Sequence, residues 1–318
     1  MRNSLTILSG NANSSLSESI CNVLDVPLGD AVVGRFPESE IKVQLKEDIR
    51  GRDVFIIQSV CSPVNDHLME LLILIDAAKR ASAKRVTAVL PYYAYARQDR
   101  KDKPRVPITA KLVANLLVTA GANRVLTMDL HAGQIQGFFD VPVDHLYSIN
   151  VLGTYLRDKD FENLVVVSPD VGGIKMARAY STLLSAPLAI VDKRRESECS
   201  TKVMNVIGEV DGKNIVIVDD LISTGGSLVE AATVLKSFGG KDIYAAIVHP
   251  VLAGPAIERL EKSVIKELIT TDSIPIADNK RHKKITVLSV APLLAEAIKR
   301  IHQNESVSSL FADASVEA

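Results

Sequence analysis

The feature that most constrains this chain is a repeated change of hydrophobic period. A short run rich in β-branched residues, DVFIIQS (53–59), is followed by DHLMELLILIDAAKRA (66–81), where apolar residues recur at helical spacing. RVTAVLP (85–91) stands before ITAKLVANLLVTAG (108–121) in the same way. The second half repeats the rhythm, with LVVVSPD (164–170) before GGIKMARAYSTLL (172–184), then IVIVDD (215–220) before GSLVEAATVLKSFGG (226–240), then DIYAAIVHP (242–250). Such alternation predicts an α/β fold. Strands that are apolar almost throughout have no face to turn to water, so the sheets are expected to be mostly parallel and flanked by helices, with ligands beyond the carboxyl ends of the strands. A chain of 318 residues, 47% of them hydrophobic, can bury two cores. No low-complexity linker divides it; the boundary is placed near Tyr147–Leu152, giving similar domains at 1–148 and 149–318 without a close sequence repeat.

Charge and cysteine usage narrow the function classes. The formal net charge is −1 and the six histidines are scattered, so no whole-molecule field recommends nucleic acid or an anionic membrane, and any anion site has to be local. Cys21, Cys61 and Cys199 are far apart and odd in number, which suits neither a disulfide framework nor a zinc ribbon; a reducing cytoplasm is the simplest setting. The opening MRNSLTILSG lacks a basic flank followed by a long apolar core, and the greasiest run, LMELLILIDAA, is broken by Glu70 and Asp76. Neither export nor membrane insertion is expected.

The most informative ten residues are VDDLISTGGS (218–227). They lie between a buried strand that ends in two acids and a helix closed by Gly239 or Gly240, so LISTGGS is a strand-to-helix turn. A turn of this kind offers free backbone N–H groups and the positive end of a helix dipole, which together favour phosphate. Gly225 and Gly226 allow the backbone to come close, and Ser223, Thr224 and Ser227 add hydroxyls. Asp219 and Asp220 would repel an anion unless they address something else, such as sugar hydroxyls or a metal-bound water. A sugar phosphate satisfies both halves. The competing explanation is an ordinary hydroxyl N-cap beside solvated aspartates. GEVDGKN (208–214) is not a P-loop: it is one residue short between its glycines and has Asn214 where a hydroxyl residue should follow the lysine, so it is expected to be a polar turn. Around YARQDRKDKPR, the five basic residues Arg97, Arg100, Lys101, Lys103 and Arg105 stand with only two aspartates; they would suit a polyphosphate, although taken alone a solvated charge run is the plainer explanation. Spacing does not decide whether Tyr92, Tyr93 and Tyr95 are core residues or a face for a purine.

VDDLISTGGS resembles the phosphoribosyl-diphosphate loop of the type I phosphoribosyltransferase fold, and most of the chain is similar to the ribose-phosphate diphosphokinase (phosphoribosyl-diphosphate synthetase) family. The likeness runs through GDAVVGRFPESEIKVQL, PYYAYARQDRKDKPRVPITAK, TMDLHAGQIQGFFDVPVDHLY, SPDVGG, VDKRR and LLAEAIKRIHQNESVSSLF. It implies transfer of the β,γ-diphosphoryl group of ATP to the anomeric hydroxyl of ribose 5-phosphate with AMP left behind, Mg2+ as cofactor, two domains of one fold and a homo-oligomer, usually a hexamer.

The same resemblance implies roles for individual residues. Glu38, Ser39 and Glu40 in RFPESE, with Arg97 and Gln98 in YARQDRKDKPR, would contact ATP, partly across a subunit interface. His131 and Asp170 would lie around the magnesium-diphosphate; Mg2+ prefers oxygen ligands and retains water, so Asp170 is expected to act largely through coordinated water. Asp219, Asp220, Ser223, Thr224, Gly225, Gly226 and Ser227, together with Arg195, would bind ribose 5-phosphate. Lys193 and Arg195 would meet the group in transfer, where charge gathers on phosphoryl oxygens.

The chain departs from the family pattern in three places. The catalytic loop of many relatives continues with basic residues and an asparagine, where this chain has Glu196, Ser197, Glu198 and Cys199, so contacts past Arg195 do not transfer. Ser223 replaces the usual third acid of the loop, and Ser227 its final threonine. A non-catalytic oligomer partner would fit Ser223 and the acidic loop, but Lys193, Arg195, Asp219, Asp220 and His131 together argue against it. A phosphoribosyltransferase or a DNA regulator would need a base-binding hood or a basic domain that the chain does not show.

Overall fold

The computed structural model describes residues 4–194 and 203–310. The chain divides into two compact units. The first takes the chain up to Tyr147, with Ser273–Pro275 and a segment that starts at Val290; the second takes Ser148–Asp272 and Ile276–Ser289.

The first unit opens with β1 (Leu5–Ser9), α1 (Ser14–Leu24) and the strands β2 (Ala31–Arg35) and β3 (Ile41–Leu45). It continues through β4 (Asp53–Ile57), α2 (Val64–Arg80), β5 (Arg85–Leu90), α3 (Thr109–Ala120), β6 (Arg124–Met128) and β7 (Val143–Leu146). A five-stranded sheet in the order β1-β4-β5-β6-β7 is parallel throughout. Every residue of β4 is buried, as is all of β5 after Arg85, which is why these segments are apolar without alternation. Strands β2 and β3 instead form an antiparallel hairpin outside that sheet. Their alternate residues Ala31, Val33, Val43 and Leu45 pack on the core, while Val32, Arg35, Lys42 and Gln44 face water.

The second unit runs α4 (Ile149–Asp158), β8 (Leu164–Ser168), α5 (Ile174–Leu183), β9 (Leu188–Arg194), β10 (Val203–Ile207), β11 (Asn214–Ile222) and α6 (Gly226–Ser237). It ends with β12 (Ile243–Pro250), α7 (Ala256–Lys262), β13 (Ile265–Thr271) and β14 (Ile285–Leu288). Its seven strands take the order β10-β9-β8-β11-β12-β13-β14 and are parallel except for β10 against β9. As expected, the chain is α/β with mostly parallel sheets flanked by helices, and GEVDGKN is the turn from β10 into β11.

The last helix, α8 (Ala291–Gln303), was grouped with the second domain on sequence, yet it packs on α1 in the first unit. Its buried stripe of Leu294, Ala295, Ile298 and Ile301 says that the helix needs a partner; only the tertiary structure says which. Polar contacts fasten it there, with His302 Nδ1 2.9 Å from Asp53 Oδ2 and Arg85 Nη2 donating to the Ile301 carbonyl at 2.8 Å. Cys21 and Cys61 are buried free thiols, pushed up to about 11 by burial, while Cys199 lies outside the described residues. No described helix is long and apolar enough to cross a membrane.

Candidate active site

In the second unit the acidic strand ends meet at neighbouring positions. Strands β8 and β11 are parallel, with Val167 opposite Ile217 as their last pair; Asp170 lies two residues past the end of β8, near enough to act on Asp219, while β11 continues through Asp219 and Asp220 to Ile222 rather than ending at the two acids. Asp170 is exposed, and its Oδ1 accepts from the backbone N–H groups of Gly172 (2.8 Å) and Gly173 (3.1 Å), which closes the turn into α5. Asp219 Oδ1 accepts from the Asp220 N–H at 3.0 Å. Burial pushes the Asp219 carboxyl up, followed by repulsion from the Asp220 carboxylate and a smaller contribution from Asp170; together they carry it to about 8. Carboxyl groups are thus crowded here, which favours a proton on Asp219, and a nearby cation would favour its release.

The residues between β11 and α6 are Ser223, Thr224 and Gly225. Gly225 sits at φ +73°, a left-handed conformation that side chains disfavour, and a Cβ there would come within 3.6 Å of the Ala256 backbone. It occupies the N-cap of α6, and no side chain caps this helix. The hydroxyl-cap explanation of the motif therefore falls away. The first N–H groups of α6 have no intrahelical acceptor, and the half-buried Ser223 and the exposed Thr224 and Ser227 are their neighbours in the chain. The turn is held from behind by strand-like bonds from Leu252 N to Ile222 O and from Ala253 N to Ser223 O, each 3.0 Å. Arg259 Nη1 on α7 adds a bond of 3.0 Å to the Thr224 carbonyl. Arg259 had no sequence signal, because its relation to the turn is purely tertiary. Lys193 lies in β9, its backbone paired with Met204 of β10; Arg195 lies outside the described residues.

The motifs expected to contact ATP lie in the first unit. Glu38, Ser39 and Glu40 form the exposed turn of the β2–β3 hairpin, with Ser39 at φ +75° and its N–H bonded to the Phe36 carbonyl at 2.9 Å. Arg97 and Gln98 are exposed between β5 and α3, where the Gln98 side chain accepts from the Thr109 hydroxyl. Arg100, Lys101, Lys103 and Arg105 are exposed as well. The three tyrosines part company: Tyr93 is core, packed edge-on to Phe139 with its hydroxyl on the Ala110 carbonyl at 2.8 Å, whereas Tyr92 and Tyr95 are half-buried. His131 is exposed just past the end of β6. Among the described residues no three His, Cys, Asp or Glu side chains converge on one ion position.

A parallel sheet whose acidic strand ends face an uncapped helix N-terminus is the architecture of phosphate-handling α/β enzymes. Comparison with known proteins makes this specific. The model of the N-terminal domain of ribose phosphate pyrophosphokinase matches residues 5–121, and that of the phosphoribosyl synthetase-associated domain matches residues 196–312. A ribose-phosphate pyrophosphokinase of Clostridium tetani is 55% identical over 98% of both chains. One from Bacillus subtilis is 52% identical over 96% of this chain and 97% of its own. The crystal structure of phosphoribosylpyrophosphate synthetase from Mycobacterium smegmatis is similar with a TM-score of 0.90 at 43% identity, covering 95% of this chain and 100% of that one. The chain belongs to the ribose-phosphate pyrophosphokinase family.

Proposed function

We propose that the chain transfers the β,γ-diphosphoryl group of ATP to the anomeric hydroxyl of ribose 5-phosphate, giving 5-phosphoribosyl 1-diphosphate and AMP for nucleotide biosynthesis. The observation that carries the assignment of the sugar is the uncapped start of α6, reached by the short turn Ser223–Gly225 from a strand that carries the Asp219–Asp220 pair near its end. In this proposal the α6 amides and the hydroxyls of Ser223, Thr224 and Ser227 take the 5-phosphate, and Gly225 and Gly226 let it approach the backbone. The carboxylates of Asp219 and Asp220 accept from the ribose hydroxyls, which orients the anomeric oxygen.

Glu38, Ser39, Glu40, Arg97 and Gln98 position ATP. The anomeric oxygen bonds to the β-phosphorus as the bond to the α-phosphate oxygen breaks, and Lys193 and Arg195 neutralise the charge that gathers on the phosphoryl oxygens; Arg195 also contacts the sugar phosphate. Asp170, through water, and His131 would hold Mg2+, which supplies charge neutralisation on the diphosphate when bound. Family membership further supports a homo-hexamer working in the cytoplasm.

Asp220→Ala tests the sugar assignment. The KM for ribose 5-phosphate should rise about 10- to 100-fold, the range for losing a hydrogen bond to a charged group. ATP binding measured without the sugar should barely change. Equal loss of both would remove the turn from the sugar phosphate.

A further inference from the structure

The β2–β3 hairpin stands outside the five-stranded sheet, and the turn residues Glu38, Ser39 and Glu40 are all exposed. A lone two-stranded ribbon is marginal in water. A turn that meets a ligand in one geometry therefore has to be held from elsewhere, and helix α2 does this at two points. Asp66 and Glu70 are four residues apart and so share a face of the helix.

Glu70 is 3% exposed, and its carboxylate has three N–H donors. Oε2 accepts from the Asn11 backbone N–H at 3.1 Å and from Gln58 Nε2 at 2.8 Å, and Oε1 accepts from Asn11 Nδ2 at 2.9 Å. The same Asn11 amide reaches the hairpin, donating to the Val33 carbonyl of β2 at 3.2 Å. Gln58, 1% exposed, fixes the far side by accepting from the Ala12 N–H and donating to the His67 carbonyl, each at 3.1 Å. One turn earlier on α2, Asp66 Oδ2 takes Arg35 Nη2 at 2.8 Å, and Arg35 Nη1 donates to the Ser39 carbonyl at 3.3 Å. A buried carboxylate is costly unless its hydrogen bonds are made, and packing alone gives position 70 no need for one, since Leu71 and Leu74 of α2 supply the apolar contacts.

We infer that Glu70, Asn11, Asp66 and Arg35 are positioning residues for the nucleotide. Glu70 aims the Asn11 amide at β2, and Asp66 aims Arg35 at the turn carbonyl of Ser39, so that Glu38, Ser39 and Glu40 meet ATP in a single arrangement. The inference rests on the proposed contact of that turn with ATP.

The test is steady-state kinetics of Asn11→Ala and Arg35→Ala, each checked for folding by thermal melting, with Glu40→Ala beside them. Asn11→Ala should raise the KM for ATP about 5-fold, the factor given by one lost hydrogen bond of about 1 kcal/mol, with kcat and the KM for ribose 5-phosphate within about twofold of the parent. Arg35→Ala breaks an exposed ion pair and should show the same signature at about two- to threefold. It decides the matter alone if Asn11→Ala does not fold. A raised KM for ATP in Glu40→Ala with no change in the other two would overturn the positioning role. An unchanged KM in Glu40→Ala would overturn the turn's contact with ATP, and the positioning role with it. Equal rises in both KM values for Asn11→Ala and Arg35→Ala would make the network structural only, and would likewise overturn the inference.

Discussion

The turn proposed for the sugar phosphate and the motifs proposed for the nucleotide are built in opposite ways. The first is one contiguous strand–turn–helix whose donors are backbone amides at the start of α6, backed by bonds from Leu252, Ala253 and Arg259. The second is a set of exposed side chains on a hairpin and on a loop before α3, with its geometry set by a helix behind the hairpin. A site made of backbone on a packed sheet is shaped before its ligand arrives. A site made of long exposed side chains depends on what braces it. Substitutions in the sugar turn should therefore act on one substrate by removing a contact, and those near the nucleotide by loosening a geometry.

The largest effect should come from neither region but from the cations that act on the group passing between the substrates. Lys193→Ala should lower kcat on the order of 10²–10³ with a smaller change in either KM, because the charge it meets develops only during transfer. Arg195→Lys should recover only part of an Arg195→Ala loss, since an ammonium cannot reproduce the planar fork on phosphate oxygens. Steady-state kinetics with each substrate varied would show this, and a normal kcat in both alanine variants would leave the transfer without its proposed cations.

A smaller effect concerns pH. In the folded, ligand-free chain burial, and then the Asp220 carboxylate, raise the Asp219 carboxyl toward about 8, above the ordinary carboxylate value of 3.8 in the unfolded chain. The folded state binds more protons between those values, so this group makes the melting temperature fall as pH rises through that window. Asp219→Asn should flatten that part of the profile when melting is followed without substrate. A parallel profile in the variant would place the titration elsewhere.

The smallest effect is expected at Ser223, which is half-buried in the turn. Ser223→Asp restores the acid usual among relatives and should change activity by no more than about threefold, within the worth of one ordinary hydrogen bond. Collapse of turnover would show that this turn has adapted around serine.

Much of this architecture was legible in the sequence because it is local. The period changes located β4, β5, β8, β11 and β12 and the helices α2, α3, α5 and α6 to within a few residues, since each such segment carries its own burial pattern. The turn after β11 was legible for the same reason: carboxylates, glycines and hydroxyls are adjacent in the chain. The illegible parts are those decided by partners distant in sequence. The apolar stripe of α8 announced burial without naming α1, and Arg259 carried no mark of its bond to Thr224. Tyr92, Tyr93 and Tyr95 could not be sorted by spacing, because only the packing of Phe139 singles out Tyr93. The raised Asp219 depends on burial and on Asp170 at the end of another strand, neither of which adjacency to Asp220 reveals.

The central claim is that ATP gives up its two terminal phosphates together to the sugar held at the start of α6. The direct measurement is to incubate the protein with ribose 5-phosphate, ATP and Mg2+ and to separate the nucleotides and sugar phosphates formed. AMP and 5-phosphoribosyl 1-diphosphate should appear in equal amounts. ADP as the sole nucleotide product would make the protein a simple kinase and contradict it, and no turnover at all would place the chain among non-catalytic members of an assembly.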